Sequence, residues 1–186
     1  VFCFNNQIMR YSNSTYLAVF GTIVSITALI QSLFYGVGQA IQPVVSSNFG
    51  VKNLYRVRIV LRYSIITALV MGGLFFALIF CFPETILRMF MRPTGEILRV
   101  GPEIVRIYAF AYLLMGMNII GSYYLQALKQ SKNALIISLL RGFFIYLILV
   151  FLLPAMAGFN AIWLTMPVTE LLTLFLTLKL LHKKGS

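Results

Sequence analysis

Residues 15–44 read TYLAVFGTIVSITALIQSLFYGVGQAIQPV, and no charged residue occurs anywhere between Arg10 and Lys52. A helix that crosses the hydrocarbon core of a bilayer needs roughly 20 consecutive, mostly apolar residues. This run is longer than that, so it predicts a membrane helix that tilts or extends beyond the hydrocarbon layer.

Four further apolar runs lie between widely spaced charges and are bounded by prolines and glycines, which interrupt or end helices. Together with the first run they predict five complete membrane spans, over residues 15–44, 57–82, 102–128, 133–153 and 160–181. Residues 1–13 predict the last part of a further helix. They do not resemble a signal peptide, because they lack an initiator Met and a basic start. We therefore expect residues 1–186 to form one all-α membrane lobe with a truncated first helix, within a longer protein.

The composition agrees with a membrane protein. Hydrophobic residues make up 60% of the 186 residues, charged residues only 10%, and the mean hydropathy is +0.92. A soluble domain has about 25% charged residues, because its surface must meet water. This composition excludes an ordinary soluble enzyme or a disordered tail. The net charge of +11 comes from basic residues between apolar runs, where anionic headgroups and not nucleic acid are the expected partners.

The basic residues also predict an orientation, because cytoplasmic loops carry an excess of Lys and Arg. If the loops alternate sides, one side has eight basic residues and the other has four. The richer side contains the C-terminus, which predicts a multi-pass protein of the plasma membrane with a cytoplasmic C-terminus.

Catalytic and metal-binding patterns are missing from the sequence. It contains four Glu, no Asp and a single His, and its two cysteines, Cys3 and Cys81, are far apart. No Gly-rich phosphate loop, HExxH or GxSxG motif occurs. The sequence therefore predicts no enzyme activity, no metal site and no cofactor.

Polar side chains within the spans are the informative residues, since such groups usually face a bundle interior or a water-filled cavity. Gln39 and Gln42 are three residues apart and so lie on one helix face. Tyr112 and Asn118 lie on the third complete span. For any one of them a helix–helix hydrogen bond is the simpler interpretation, but together they suggest a polar pathway.

Arg141 and Glu170 are predicted to lie at similar depths in consecutive antiparallel spans. At the α-helical rise, Arg141 is roughly 12 Å and Glu170 roughly 16 Å from the same membrane face. Two opposite charges in lipid are expected to pair. The favoured interpretation is a structural ion pair. The alternative is a gate or a proton-linked element.

Residues 36–50, GVGQAIQPVVSSNFG, resemble a segment of the multidrug and toxic compound extrusion (MATE) family. Weaker similarities follow in the same order, at YLQAL (124–128), LLR (139–141) and AIW (161–163), and then at Thr169 and Glu170. The order and spacing are similar to the family's C-terminal half over essentially the whole chain.

This resemblance implies one lobe of a twelve-helix transporter whose two six-helix lobes enclose a V-shaped cavity. It implies export of organic cations and other amphipathic small molecules by alternating access, driven by proton or sodium antiport. The implied partners are these substrates, membrane lipids and the missing N-terminal lobe. Our candidate cavity residues are Asn6, Gln39, Gln42, Tyr112, Asn118 and Arg141.

Two positions depart from the family pattern. Some members have carboxylates for the coupling cation on the seventh and tenth helices, and the resemblance aligns Asn6 and Gly116 with these positions. The resemblance therefore leaves open both the coupling ion and the location of its carboxylate.

Three rival functions are also considered. A lipid-linked oligosaccharide flippase of similar fold would favour several deep cations, and a non-transporting structural subunit would use its polar groups only between helices. A membrane enzyme would need catalytic clusters.

Overall fold

The computed structural model describes residues 2–11 and 14–182, and within these ranges the chain is helical almost throughout and contains no strand. The all-α prediction is therefore confirmed. Lys183 and Lys184, which contributed to the predicted orientation, and the end of the predicted partial helix 1–13 lie outside the described residues. The α-helices are α1 (Phe2–Tyr11), α2 (Ser14–Gly50), α3 (Leu54–Cys81), α4 (Pro83–Phe90), α5 (Gly95–Ala127), α6 (Ser131–Leu139), α7 (Ile145–Ala157) and α8 (Thr165–His182).

Within the described ranges, five helical segments are long and apolar enough to cross a membrane. They cover residues 14–50, 54–81, 95–127, 131–157 and 159–182. The first and third extend well beyond the spans expected from the sequence, which were 15–44 and 102–128.

Both extensions have a local cause. α2 continues past Pro43, and the side chains of Ser46, Ser47 and Asn48 donate hydrogen bonds to backbone carbonyls three or four residues earlier. A proline removes only its own N–H donor, and membrane helices tolerate this. α5 begins at Gly95 because the hydroxyl of Thr94 accepts a hydrogen bond from the Ile97 N–H and caps the helix.

α5 is the central helix, since it packs against α2, α3 and α8. Close approach to α3 depends on Gly72, where a Cβ atom would lie 2.8 Å from the backbone oxygen of Tyr112. Small residues of this kind let the backbones of membrane helices come together.

The segment between α6 and α7 is a π-helical turn over residues 140–144, LRGFF. The backbone N–H of Ile145 bonds to the carbonyl of Leu140, five residues earlier. Such wide turns occur mostly as single insertions in α-helices and often at functional sites. Here the turn contains Arg141. A short 3₁₀ segment over residues 159–164, with Trp163 buried, leads into α8.

Candidate functional site

Two adjoining cavities lie between α2, α5, the π-helical turn and α8, and together they are called the cleft below. Their volumes are about 290 and 380 Å³. Both are lined by Gln31, Arg141, Gly142 and Met166, so they meet at the π-helical turn.

The walls of the cleft combine aromatic rings with hydroxyl and amide groups. The first cavity is lined by Phe20, Thr27, Tyr108 and Tyr146, among others. The second is lined by Tyr35, Ser122, Tyr123, Gln126 and Ser138, among others. The wall of the first cavity is mostly apolar with a few polar groups, which is typical of sites that bind small organic molecules, whereas the wall of the second is more polar.

Arg141 carries the one charged side chain among the described residues that line the cleft. Its Nε atom donates to Oε1 of Glu170 at 2.7 Å. The Glu170 side chain is completely buried and the Arg141 side chain is 12% exposed. The cleft is therefore lined by the guanidinium of this ion pair, and the carboxylate lies behind it.

Asn118 completes the hydrogen bonding of Glu170, and Thr177 in turn holds Asn118. The Asn118 amide nitrogen donates to Oε2 of Glu170 at 2.7 Å and to its backbone oxygen at 2.9 Å. The amide oxygen of Asn118 accepts a hydrogen bond from the Thr177 hydroxyl. Both carboxylate oxygens thus have a partner, as a buried charge requires.

The sequence of α8 explains why this helix can carry buried polar groups. Threonines recur every fourth residue and so lie on one face. Thr169 and Thr173 each donate their hydroxyl proton to the carbonyl four residues earlier, which satisfies them within the helix. The hydroxyl proton of Thr177 is shared between the Thr173 carbonyl and the Asn118 amide oxygen. These four buried residues, called the threonine stripe, are Thr165, Thr169, Thr173 and Thr177.

Three of the six candidate cavity residues reach the cleft through a neighbour. The Tyr112 hydroxyl lies 2.9 Å from that of Thr27, which lines the first cavity. The Gln42 amide donates to Gln126, which lines the second. Asn118 is fully buried behind the ion pair.

Of the other three candidates, Arg141 lines the cleft directly, whereas Asn6 and Gln39 are exposed and line neither of its cavities. The set omitted the cleft residues Thr27, Tyr108 and Tyr146. Helical spacing shows which residues share a face of one helix, but it does not show which of those faces meets a cavity. The sequence alone therefore could not identify these three residues.

Gly116, the second position that departs from the family pattern, has no room for a side chain. A Cβ atom there would lie 2.5 Å from Cε1 of Phe34, a fully buried ring. A carboxylate at this position would need the ring to move. Within residues 2–11 and 14–182, no three His, Cys, Asp or Glu side chains are grouped so that they could hold a metal ion.

Solved structures show where this fold occurs. The chain superposes with a TM-score of 0.90 on the outward-facing conformation of a multidrug resistance MATE family transporter of the MOP superfamily, with 16% identity. The superposition covers 99% of this chain and 42% of that transporter. A MOP superfamily transporter from Pyrococcus furiosus gives a TM-score of 0.89 at 16% identity, with coverage of 99% and 42%. A solved structure named protein A gives 0.81 at 30% identity, with coverage of 97% and 40%.

These likenesses agree with the prediction of one lobe of a MATE-type fold. The chain spans about two fifths of the length of the solved proteins that it matches. No curated protein matches the sequence significantly. The family model named MatE matches residues 2–152, which is most of the chain. The protein therefore belongs to the MatE family.

Proposed function

We propose that the complete protein exports amphipathic small molecules, organic cations among them, by antiport against protons or sodium ions. The observation that supports this most directly is the cleft, which places aromatic rings, hydroxyls and a single ion pair inside a lobe of MATE fold. Aromatic faces attract organic cations, and hydroxyl and amide groups can orient them.

The proposed mechanism is alternating access. This lobe and its partner lobe rock about a shared cavity, so that substrate meets one side of the membrane at a time. Binding of the coupling cation changes the relative populations of the two arrangements, to the extent that it binds one of them more tightly. We place the protein in the plasma membrane with its C-terminus in the cytoplasm.

The coupling cation is assigned to the complete protein and not to a site in this lobe. Asn6 is uncharged and Gly116 has no side chain, so neither supplies a carboxylate. Glu170 is held by Arg141 and Asn118. We propose that this group is structural and anchors α8 to the π-helical turn.

A lipid-linked oligosaccharide flippase fits the cleft less well. A lipid pyrophosphate would be bound best by several cations, and among the described cleft residues Arg141 is the single one. That cation is already paired with Glu170.

Ethidium efflux from cells that lack other exporters tests the proposal. Cells that express the complete protein should lose ethidium faster than control cells. Collapse of one of the two gradients, the proton or the sodium gradient, should abolish the difference. Gln31→Ala and Tyr112→Phe alter the cleft and should slow efflux. Tyr63→Phe, at an exposed tyrosine of α3, is the matched control and should not.

Efflux that is unaffected by both gradients would contradict antiport. Unchanged efflux by both cleft variants, at equal expression, would contradict the assignment of the cleft. We also expect Gln39→Ala to slow efflux if Gln39 faces the shared cavity, as the sequence predicts. Unchanged efflux by this variant would remove Gln39 from the substrate pathway.

A further inference from the structure

A third cavity, of about 450 Å³, lies outside the cleft, where α3 begins and α5 and α8 end. Its floor is apolar. The side chains that form the floor are Leu54, Val57, Leu61, Leu125, Leu128 and Leu181. This cavity is called the terminal pocket below.

The rim of the terminal pocket is basic. Arg58, at the start of α3, and Lys129, just after α5, line it and are exposed. Tyr124 and Gln130 add a hydroxyl and an amide group to the lining. None of its lining residues is acidic. A small anionic group at the rim would thus meet two cations, and none of the described lining residues would repel it by charge.

The backbone of Lys129 is unusual. Its φ is 61°, in the left-handed region that helix ends usually reserve for glycine or asparagine. Among the described residues, Lys52 is the one other residue besides glycine with positive φ, and it follows α2 at the same end of the lobe. Cations near helix C-termini interact favourably with the helix dipole, which partly explains both lysines. The same backbone geometry fixes Lys129 at the rim of the pocket.

The distribution of charge favours an anionic ligand at this end. The four acidic residues of the sequence are Glu84, Glu96, Glu103 and Glu170. The first three lie in or near α4 and the start of α5, at the other ends of α3 and α5, and the fourth is paired with Arg141. The basic residues at the ends that surround the terminal pocket are Lys52, Arg56, Arg58, Arg62, Lys129, Lys132 and Lys179.

We propose that the terminal pocket binds an anionic phospholipid. The lipid phosphate lies between Arg58 and Lys129, and the first part of an acyl chain covers the leucine floor. Membrane helices end at the level of the headgroups, and basic pockets between them on the cytoplasmic side bind anionic headgroups. A soluble anion would use the two cations but would leave the apolar floor uncovered. This inference does not depend on the proposed transport function.

The test uses the complete protein, purified in detergent and stripped of lipid. Phosphatidylglycerol, phosphatidylcholine and inorganic phosphate are added separately, and the shift in Tm and the lipid retained by mass spectrometry are measured. We expect phosphatidylglycerol to raise Tm and to be retained in a salt-sensitive way, because screening weakens charge attraction. Phosphatidylcholine and phosphate should have little effect.

Two double variants with the same loss of charge separate the pocket from its basic surroundings. Arg58→Gln with Lys129→Asn removes both rim cations, and Asn tolerates the left-handed conformation. It should bind phosphatidylglycerol about tenfold more weakly. Lys132→Gln with Lys179→Gln removes two exposed cations near the same end that do not line the pocket, and it should bind nearly as well as the unmodified protein.

A third variant, Leu61→Trp, fills the floor and leaves both cations in place. It should weaken binding of long-chain phosphatidylglycerol more than binding of glycerol phosphate. Equal binding of phosphatidylglycerol and phosphatidylcholine, or an equal loss in both double variants, would overturn the proposal. An equal Tm shift with inorganic phosphate alone would replace the lipid with a soluble anion.

Discussion

Arg141, in the π-helical turn, and Glu170, in the first half of α8, form an ion pair with an Nε to Oε1 distance of 2.7 Å. The two residues are 29 positions apart in the sequence and belong to consecutive membrane segments. The wide turn and the threonine stripe are the local structures that bring them together. The ion pair thus connects the π-helical turn to the polar face of α8.

Removal of one partner should cost far more stability than removal of both. Arg141→Gln leaves the buried carboxylate of Glu170 without its counter-ion, and we expect it to lower the free energy of unfolding by about 3–5 kcal/mol. The double variant with Glu170→Gln leaves two neutral amides that can bond to each other, so it should lose less. Thermal unfolding in detergent measures both.

Arg92→Gln, at an exposed arginine outside the cleft, is the control for that experiment and should change stability by less than about 0.5 kcal/mol. If the single and the double variant unfold at the same temperature, the Glu170 carboxylate without its counter-ion carries no stability penalty, which would contradict the prediction.

The adjacent glycines Gly72 and Gly73 should respond in opposite ways to alanine. A Cβ at Gly72 would lie 2.8 Å from the backbone oxygen of Tyr112, whereas a Cβ at Gly73 would meet nothing within 4 Å. Backbone atoms cannot shift cheaply, so Gly72→Ala should push α3 and α5 apart and cost about 1–3 kcal/mol. Gly73→Ala gains helix propensity and should be neutral or slightly stabilising. Thermal unfolding of the two variants provides the comparison, and equal behaviour would contradict the close approach at Gly72.

The sequence predicts five apolar spans, as many as the described residues contain, but not the cleft, and the reason is physical. The thickness of the bilayer sets how many consecutive apolar residues a spanning helix needs, and such runs can be read directly from the sequence. The depth of a residue in the membrane follows from its distance along the helix from the helix end. For this reason Arg141 and Glu170 could be placed at similar depths. The face that a residue presents depends on which helices are neighbours, so Gln39 and Thr27 could not be told apart.

Proline was the other source of error at the level of the elements. The expected spans ended at residue 44, next to Pro43, and began at Pro102, yet both prolines lie inside long helices. In a membrane the backbone groups that a proline frees must still find partners, so continuation of the helix is favoured over a break. The π-helical turn could not be predicted, because the apolar run that contains it has no residue pattern that marks such a turn.

Asn118 should matter more than its uncharged side chain suggests. It donates two hydrogen bonds to Glu170 and accepts one from Thr177, all of them buried. Asn118→Ala leaves these groups unsatisfied and should lower stability by about 1–3 kcal/mol or more, since one of them is charged. Asn133→Ala, which removes a partly buried bond to Gln130, is the matched control and should cost much less. Similar Tm values for the two variants would show that Glu170 finds other partners.

Transport by the neutral double variant, Arg141→Gln with Glu170→Gln, distinguishes a structural ion pair from a coupling element. A structural pair can be replaced by two amides, so ethidium efflux should stay within about twofold of the unmodified protein's. Ethidium is a cation, so loss of the Arg141 guanidinium removes no attraction for it. Glu103→Gln, at an exposed carboxylate remote from the cleft, controls for loss of acidic charge. A double variant that folds and reaches the membrane, but whose efflux no longer responds to either ion gradient, would make the pair part of the coupling mechanism instead.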